Sequence, residues 1–367
     1  MKIRSHLKSL PPYIPIEPFE VQSARLGRDP VQIVKLDANE NPYGPLPVVR
    51  DALGKLDFPH IYPDAESRAL RKSLATFTGV AEEHLLAGAG ADELIDLLMR
   101  VLLEPGDCIL SCPPTFGMYS FDAGLNAAHC IEVTRNTDFS LDIESIRKVV
   151  EINRPKILFI ATPNNPDGST LNAETIDELL NLPLLVVLDE AYIEFAGENL
   201  GANMSRIREV PSRDNLVVLR TFSKWAGLAG LRIGYGAFPL WLMPTLWKAK
   251  QPYNVNIAAS VAAQVSLAHV DKLIAVVGLL QDERERLFVA LQEIPYLQAY
   301  PSRSNFILCR VVDRDAAELK TRLAQEHGVL VRYFNNPGLR DQIRISVGRP
   351  QDTVALLKAL NSESKVS

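Results

Sequence analysis

Leu184 to Phe195 reads LLVVLDEAYIEF, five apolar residues followed at once by two acids. Five apolar residues in succession, without alternation, mark a strand buried on both faces, as in parallel sheets covered by helices. The whole run reads as one nearly continuous strand. Asp189 then stands where an ionised carboxylate is costly unless a cation or a good donor lies against it, so a buried partner is expected.

Outward from this strand, residues 67–236 alternate helical patterns with short β-rich runs. LRKSLATFTG reads as a helix ending at Gly79, HLLAGAG as a strand entering a turn, and ADELIDLLMRVLL as a helix stopped by PGD. CILSCPP, HCIEVTR, KILFIATP, NLVVLRTFSK and LRIGYGAF read as further strands, with LDIESIRKVVEI and AETIDELLNL as helices between them. The expected fold class is α/β, a mostly parallel central sheet flanked by helices. In such a sheet ligands bind at the carboxyl ends of the strands.

After Pro252 the pattern changes to two long helical segments, residues 257–270 and 271–293, expected to bridge to a second lobe. SNFILCRV, DAAELKTRLAQEHG, VLVRYF, QIRISVG and TVALLKALN then give strand, helix, strand, strand, helix, a smaller α+β domain. The first 44 residues are proline-rich and irregular, an arm packed on that lobe or on a neighbouring subunit. The expected divisions are 1–44 for the arm and part of the small domain, 45–265 for the large domain and 266–367 for the small one.

The net charge is −5, from 39 basic and 44 acidic residues without a dominant block, which argues against a polyanion-binding face and against nucleic acid. Nowhere do about 18 apolar residues run unbroken, so no membrane span is expected and the cytoplasm is the expected compartment. The four cysteines form no paired motif and the six histidines are scattered, so no metal site is expected.

Three motifs carry chemistry. GAGADE (88–93) lies between a strand and a helix start, where free amides and the helix dipole suit a phosphate, although a tight turn explains it as well. It lacks the spacing of the common nucleotide loops. TPNNPDG (162–168) is a turn, but a turn does not explain the second asparagine at the strand's mouth. RTFSKWAGLAGLRIGYG (220–236) sets Lys224 between an apolar run and a small-residue run, with Arg232 eight places on. A lysine, a buried acid, an asparagine, an aromatic and a phosphate-sized turn at neighbouring strand ends are what pyridoxal 5'-phosphate requires.

In these motifs the chain resembles the fold type I pyridoxal-phosphate-dependent aminotransferases, in particular the histidinol-phosphate aminotransferase family. PPYIPIEP, LDANENPYGP, YPD, GAGADELIDLL, CPPTFGMY, ATPNNPDG, LDEAYIEF, RTFSKWAGLAGLRIGY and IRISVG match in order along essentially the whole chain. The resemblance implies that Lys224 binds the cofactor's aldehyde and moves a proton, and that Asp189 pairs with the ring nitrogen. It implies that Asn165 and Tyr192 bond the ring oxygen and that Phe116, where relatives often carry tyrosine, stacks on the ring. Ala91, Asp92, Thr221, Ser223 and Arg232 are implied to hold the phosphate, with Tyr62 donated across a homodimer interface. Tyr13, Asn41, Tyr253, Arg332 and Arg344 are implied to bind substrate.

The expected activity is transamination between L-histidinol phosphate with 2-oxoglutarate and imidazole-acetol phosphate with L-glutamate. A threonine-phosphate decarboxylase and an aromatic-amino-acid transaminase are alternatives on the same scaffold. A non-catalytic binding protein is an alternative of another class.

Overall fold

A computed structural model describes residues 2–13 and 15–364. Ile14 of PPYIPIEP, together with residue 1 and residues 365–367 of the expected outer divisions, lies outside them.

Twelve strands are present among the described residues: β1 (Val34–Leu36), β2 (Leu85–Gly88), β3 (Cys108–Ser111), β4 (His129–Glu132), β5 (Ile157–Ala161), β6 (Leu185–Asp189), β7 (Leu216–Thr221), β8 (Gly234–Ala237), β9 (Leu297–Ala299), β10 (Phe306–Val311), β11 (Val329–Tyr333) and β12 (Gln342–Ser346). Seven form the larger sheet in the order β2-β8-β7-β6-β5-β3-β4. β8 runs antiparallel to both neighbours, whereas the β7-β6-β5-β3-β4 pairs are parallel, so the sheet is mostly parallel as expected. Every residue of β5, β6 and β7 is buried, which is why their sequences run apolar instead of alternating.

LLVVLDEAYIEF is not one strand. β6 stops at Asp189, and Ile193–Phe195 form a 3-10 turn. Where the ladder ends, the acid side chains take up local and tertiary partners: Ala191 N–H donates back to Asp189, and Arg220 and Ser205 donate to Glu190. The apolar residues beyond them are buried against the same core and so mimic a longer strand.

The second sheet has the order β1-β11-β12-β10-β9. Its strand, helix, strand, strand, helix core follows the sequence reading, but two edges were not legible. β1 comes from the N-terminal stretch read as irregular and pairs in parallel with β11, and β9 pairs with β10. Both are three residues long, too short to show a period.

The helix Val270–Gln292 joins the two sheets. Its Leu273, Val277 and Leu280 pack in the core of the large sheet, and its Leu287 and Leu291 in that of the small sheet. No single helix among the described residues is long and apolar enough to cross a membrane.

Candidate functional site

Four strand ends converge on one cleft. Ala161 at the end of β5 is opposite Asp189 at the end of β6, and Asp189 is opposite Leu219 of β7, two residues before Thr221. Lys224 follows three residues after β7, and the helix Ala91–Leu102 starts three residues after β2. The cleft holds about 660 Å³ of empty space, and ten of the predicted cofactor residues line it: Ala91, Asp92, Phe116, Asn165, Asp189, Tyr192, Thr221, Ser223, Lys224 and Arg232.

Lys224 Nζ lies 5.8 Å from the centre of the Tyr192 ring and donates to the carbonyl of Ala38 at 3.2 Å. Asp189 is buried and accepts from the Tyr119 hydroxyl at 2.7 Å and from Ala191 N–H at 3.1 Å. Burial pushes its carboxyl up to about 6, against the lowering effect of those two donors. Among the described residues no salt bridge involves Asp189, and the buried partner it has is the Tyr119 hydroxyl.

The anion cradle is built from backbone. The helix Ala91–Leu102 begins at Gly90 without a side-chain cap, which leaves first-turn N–H groups and the positive end of the helix dipole facing the cleft. Two glycines permit the close approach. A Cβ on Gly234 would lie 2.5 Å from Ala91 N, and one on Gly90, whose φ is +88°, 2.5 Å from Arg232 Nη2. Arg232 is held by Asp92 at 2.7 Å and reaches Ser223 Oγ at 3.4 Å, and Ser223 Oγ accepts from Thr221 at 2.9 Å.

The donor set fits pyridoxal phosphate. It offers an amine for the aldehyde, a carboxylate that a protonated ring nitrogen would compensate, and an amide, hydroxyl and guanidinium cradle for the phosphate. Asn165 accepts from Arg344 through Oδ1, so its Nδ2 is left for the cleft. Phe116 lines the cleft with its ring edge-on to Tyr119, at 5.6 Å and 82°.

Six predicted residues are not in the lining. Arg344 abuts it through Asn165 and faces Arg332 across the β11–β12 pairing. Tyr62 is 80% exposed and stacks on Tyr253, with ring centres 4.7 Å apart. Tyr13 packs against Phe121 at 5.8 Å. Asn41 spends both ends of its side chain on backbone, donating to the carbonyl of Trp225 at 2.9 Å and accepting from Tyr43 N–H at 3.0 Å.

The sequence reading missed Tyr119 and Asn39. Tyr119 lies 70 residues from the carboxylate it bonds, and no local spacing marks such a pair. Asn39, in the same LDANENPYGP motif as Asn41, donates to the Tyr192 hydroxyl at 3.0 Å. A left-handed φ of +56° at Asn39 is a conformation asparagine tolerates, a signal that fits many loops.

The family model for aminotransferase class I and II matches residues 31–360. A histidinol-phosphate aminotransferase of Nicotiana tabacum, named as chloroplastic, is 57% identical over 359 residues, 98% of this chain and 86% of that protein. One from Roseiflexus castenholzii is 50% identical over 366 residues, 98% of this chain and 97% of that protein. Among solved structures, the histidinol-phosphate aminotransferase of Sinorhizobium meliloti in complex with pyridoxal-5'-phosphate superposes with a TM-score of 0.88 at 26% identity, covering 98% of each chain.

Proposed function

The chain belongs to the class I and II aminotransferases and, within them, to the histidinol-phosphate aminotransferase family, and on that premise we propose that it interconverts L-histidinol phosphate plus 2-oxoglutarate and imidazole-acetol phosphate plus L-glutamate in histidine biosynthesis. It is a pyridoxal-phosphate-dependent transaminase. The observation that carries the reading is the placement of a lysine amine, a buried carboxylate and a helix-end anion cradle on one cleft.

Bound there, the cofactor supplies an electron sink for the pair left when the substrate's Cα–H bond breaks. Lys224 would hold the cofactor through its aldehyde and would serve as the base at the substrate Cα and the acid that returns the proton. Asp189 keeps the ring nitrogen protonated, and Tyr119 fixes the carboxylate's direction. Asn165 and Tyr192 would donate to the ring oxygen, and Phe116 would stack on the ring. Ala91, Asp92, Thr221, Ser223 and Arg232 grip the phosphate and fix the ring's position.

Arg344 and Arg332 bind the substrate phosphate, a dianion suited to paired guanidinium groups. Tyr13 and Tyr253, which do not line the cleft of the single chain, are read as contacts to the substrate, while Asn41 supports the loop after Lys224 through the Trp225 carbonyl. The active form is a homodimer in which Tyr62 reaches the phosphate of the neighbouring site. Its support is an exposed apolar segment: Phe58, Ile61 and Tyr62 are 63%, 55% and 80% exposed in the single chain. The division at residues 44–45 and 265–266 is likewise our reading. So is a cytoplasmic location, which the four free thiols suit.

A paired turnover assay tests the activity. Histidinol phosphate with 2-oxoglutarate is expected to be the preferred pair over phenylalanine with 2-oxoglutarate. Preference for phenylalanine, or carbon dioxide release from threonine phosphate, would replace the reading with one of the alternatives.

A further inference from the structure

The loop residue Asn39 links β12 of the small sheet to the segment that follows β6 of the large one. It is 1% exposed, and its backbone carbonyl accepts from Asn305 Nδ2 at 3.0 Å. Its N–H donates to Ser346 Oγ, on β12, at 2.8 Å. Ser346 Oγ lies 3.1 Å from Asn39 Oδ1, and Asn39 Nδ2 lies 3.0 Å from the Tyr192 hydroxyl. The Tyr192 ring is fixed edge-on against Phe306, at 5.1 Å and 89°.

The direction of every proton in this chain of bonds follows from its first member. A backbone N–H only donates, so Ser346 Oγ accepts there and has one proton left to give. The acceptor within reach is Asn39 Oδ1. That orients the amide with its NH2 toward Tyr192, whose oxygen must accept. Tyr192's own proton has no acceptor among the described residues and is left to point into the cleft.

We propose that Asn39, set by Ser346, is a positioning residue that obliges the Tyr192 hydroxyl to donate toward the cofactor's ring oxygen and not to accept from it. The inference rests on the cofactor reading above. Its consequence is electrostatic: a fixed donor stabilises negative charge on the ring oxygen. That charge is least compensated when the nitrogen of the lysine–cofactor linkage has lost its proton. The relay therefore favours the unprotonated linkage and lowers its titration midpoint.

The test is a pH titration of the visible absorption of the pyridoxal-phosphate-loaded protein, in wild type, Asn39→Gly, Tyr192→Phe and the double variant. Glycine suits the left-handed backbone at position 39. Tyr192→Phe is expected to raise the midpoint by about 1 pH unit, a tenfold change in proton affinity. Asn39→Gly is expected to raise it by a part of that shift, and the double variant to match Tyr192→Phe. Should Asn39→Gly not load cofactor, Ser346→Ala is expected to raise the midpoint and Ser346→Thr, which keeps the hydroxyl, to restore it. A wild-type midpoint in Asn39→Gly and Ser346→Ala beside a shifted Tyr192→Phe would overturn the relay alone. An unshifted Tyr192→Phe would remove the cofactor contact itself, and the inference with it.

Discussion

Arg344 Nη1 donates to Asn165 Oδ1 at 2.5 Å, although the two residues are 179 apart in sequence, one on β12 of the small sheet and the other in the turn that follows β5 of the large one. A guanidinium only donates, so the contact turns the amide's NH2 toward the cleft. Arg344 also donates to the carbonyl of Asp37 at 3.1 Å, and its Nε is buried without a partner. Burial, joined by the charge of Arg332, pushes its pKa down to about 10, so it remains a cation near neutrality.

Arg344→Lys should therefore not behave as a conservative change. A lysine's compact charge cannot hold Asn165, the Asp37 carbonyl and a phosphate at once. We expect the KM for histidinol phosphate to rise roughly 10- to 100-fold, the loss of one or two charge-assisted hydrogen bonds. Steady-state kinetics with and without a phosphate group on the amine substrate checks this: an equal loss for both would place Arg344 outside the phosphate pocket.

Asp189 ties the stability of the cofactor-free protein to pH. Its carboxyl titrates at about 6 in the fold against an ordinary 3.8, chiefly because it is buried. Between those values the folded state binds a proton that the unfolded chain has lost. This group's favourable contribution is thus complete below about pH 4 and disappears as pH rises through 6, about 3 kcal/mol in all. Asp122 and Glu194, raised by burial to about 7 and 8, act in the same direction. The measurement is a difference: cofactor-free Asp189→Asn should gain stability relative to wild type between pH 4 and 7 in urea unfolding. A gap independent of pH would contradict the assignment.

What the sequence made legible follows from range. Lys224, Asp189 and Asn165 could be placed because each ends or closely follows a buried strand, and strand ends in a parallel sheet share an edge. Tyr119 and Asn39 could not, because their roles come from tertiary partners 70 and 153 residues away. Asn41 illustrates the converse. It shares a motif with Asn39, yet its hydrogen bonds serve the loop carrying Trp225. The strand reading failed at Asp189 because burial keeps a sequence apolar whether or not the ladder continues.

Lys224→Ala tests the amine directly. Its Nζ makes one hydrogen bond, to the Ala38 carbonyl, so its loss should leave the thermal midpoint little changed. Turnover should fall by at least about 10²- to 10⁴-fold, the scale of losing a positioned acid–base group. Turnover near wild type would move the chemistry elsewhere.

The homodimer can be tested by complementation. Tyr62→Ala and Lys224→Ala each damage every site in their own dimers if Tyr62 serves the neighbouring cleft. Refolded together, half the dimers would be mixed, and each mixed dimer holds one site with both residues intact. Activity should recover to about one quarter of the wild-type value. If Tyr62 serves its own chain, the mixture instead gives only the sum of the two variants.

The buried ions beneath the site set a different limit. Arg220 donates to Glu190 at 2.9 Å, and Glu190 also accepts from Ser205 and from Arg206 N–H. Glu194 lies 3.9 Å from the same guanidinium with both oxygens free of hydrogen bonds, and burial raises it to about 8. These residues neighbour Asp189 and Thr221 in sequence, so the cluster fastens the ends of β6 and β7 from below. Arg220→Met would strand one or two carboxylates in the core, at a cost of about 3–5 kcal/mol. Arg220→Met combined with Glu190→Gln should recover part of that loss, because the unpaired charge and not the lost pairing dominates it. A double variant less stable than Arg220→Met would show that Glu190's bonds to Ser205 and Arg206 outweigh its charge, and would shift the anchoring of β6 from the ion pair to that loop.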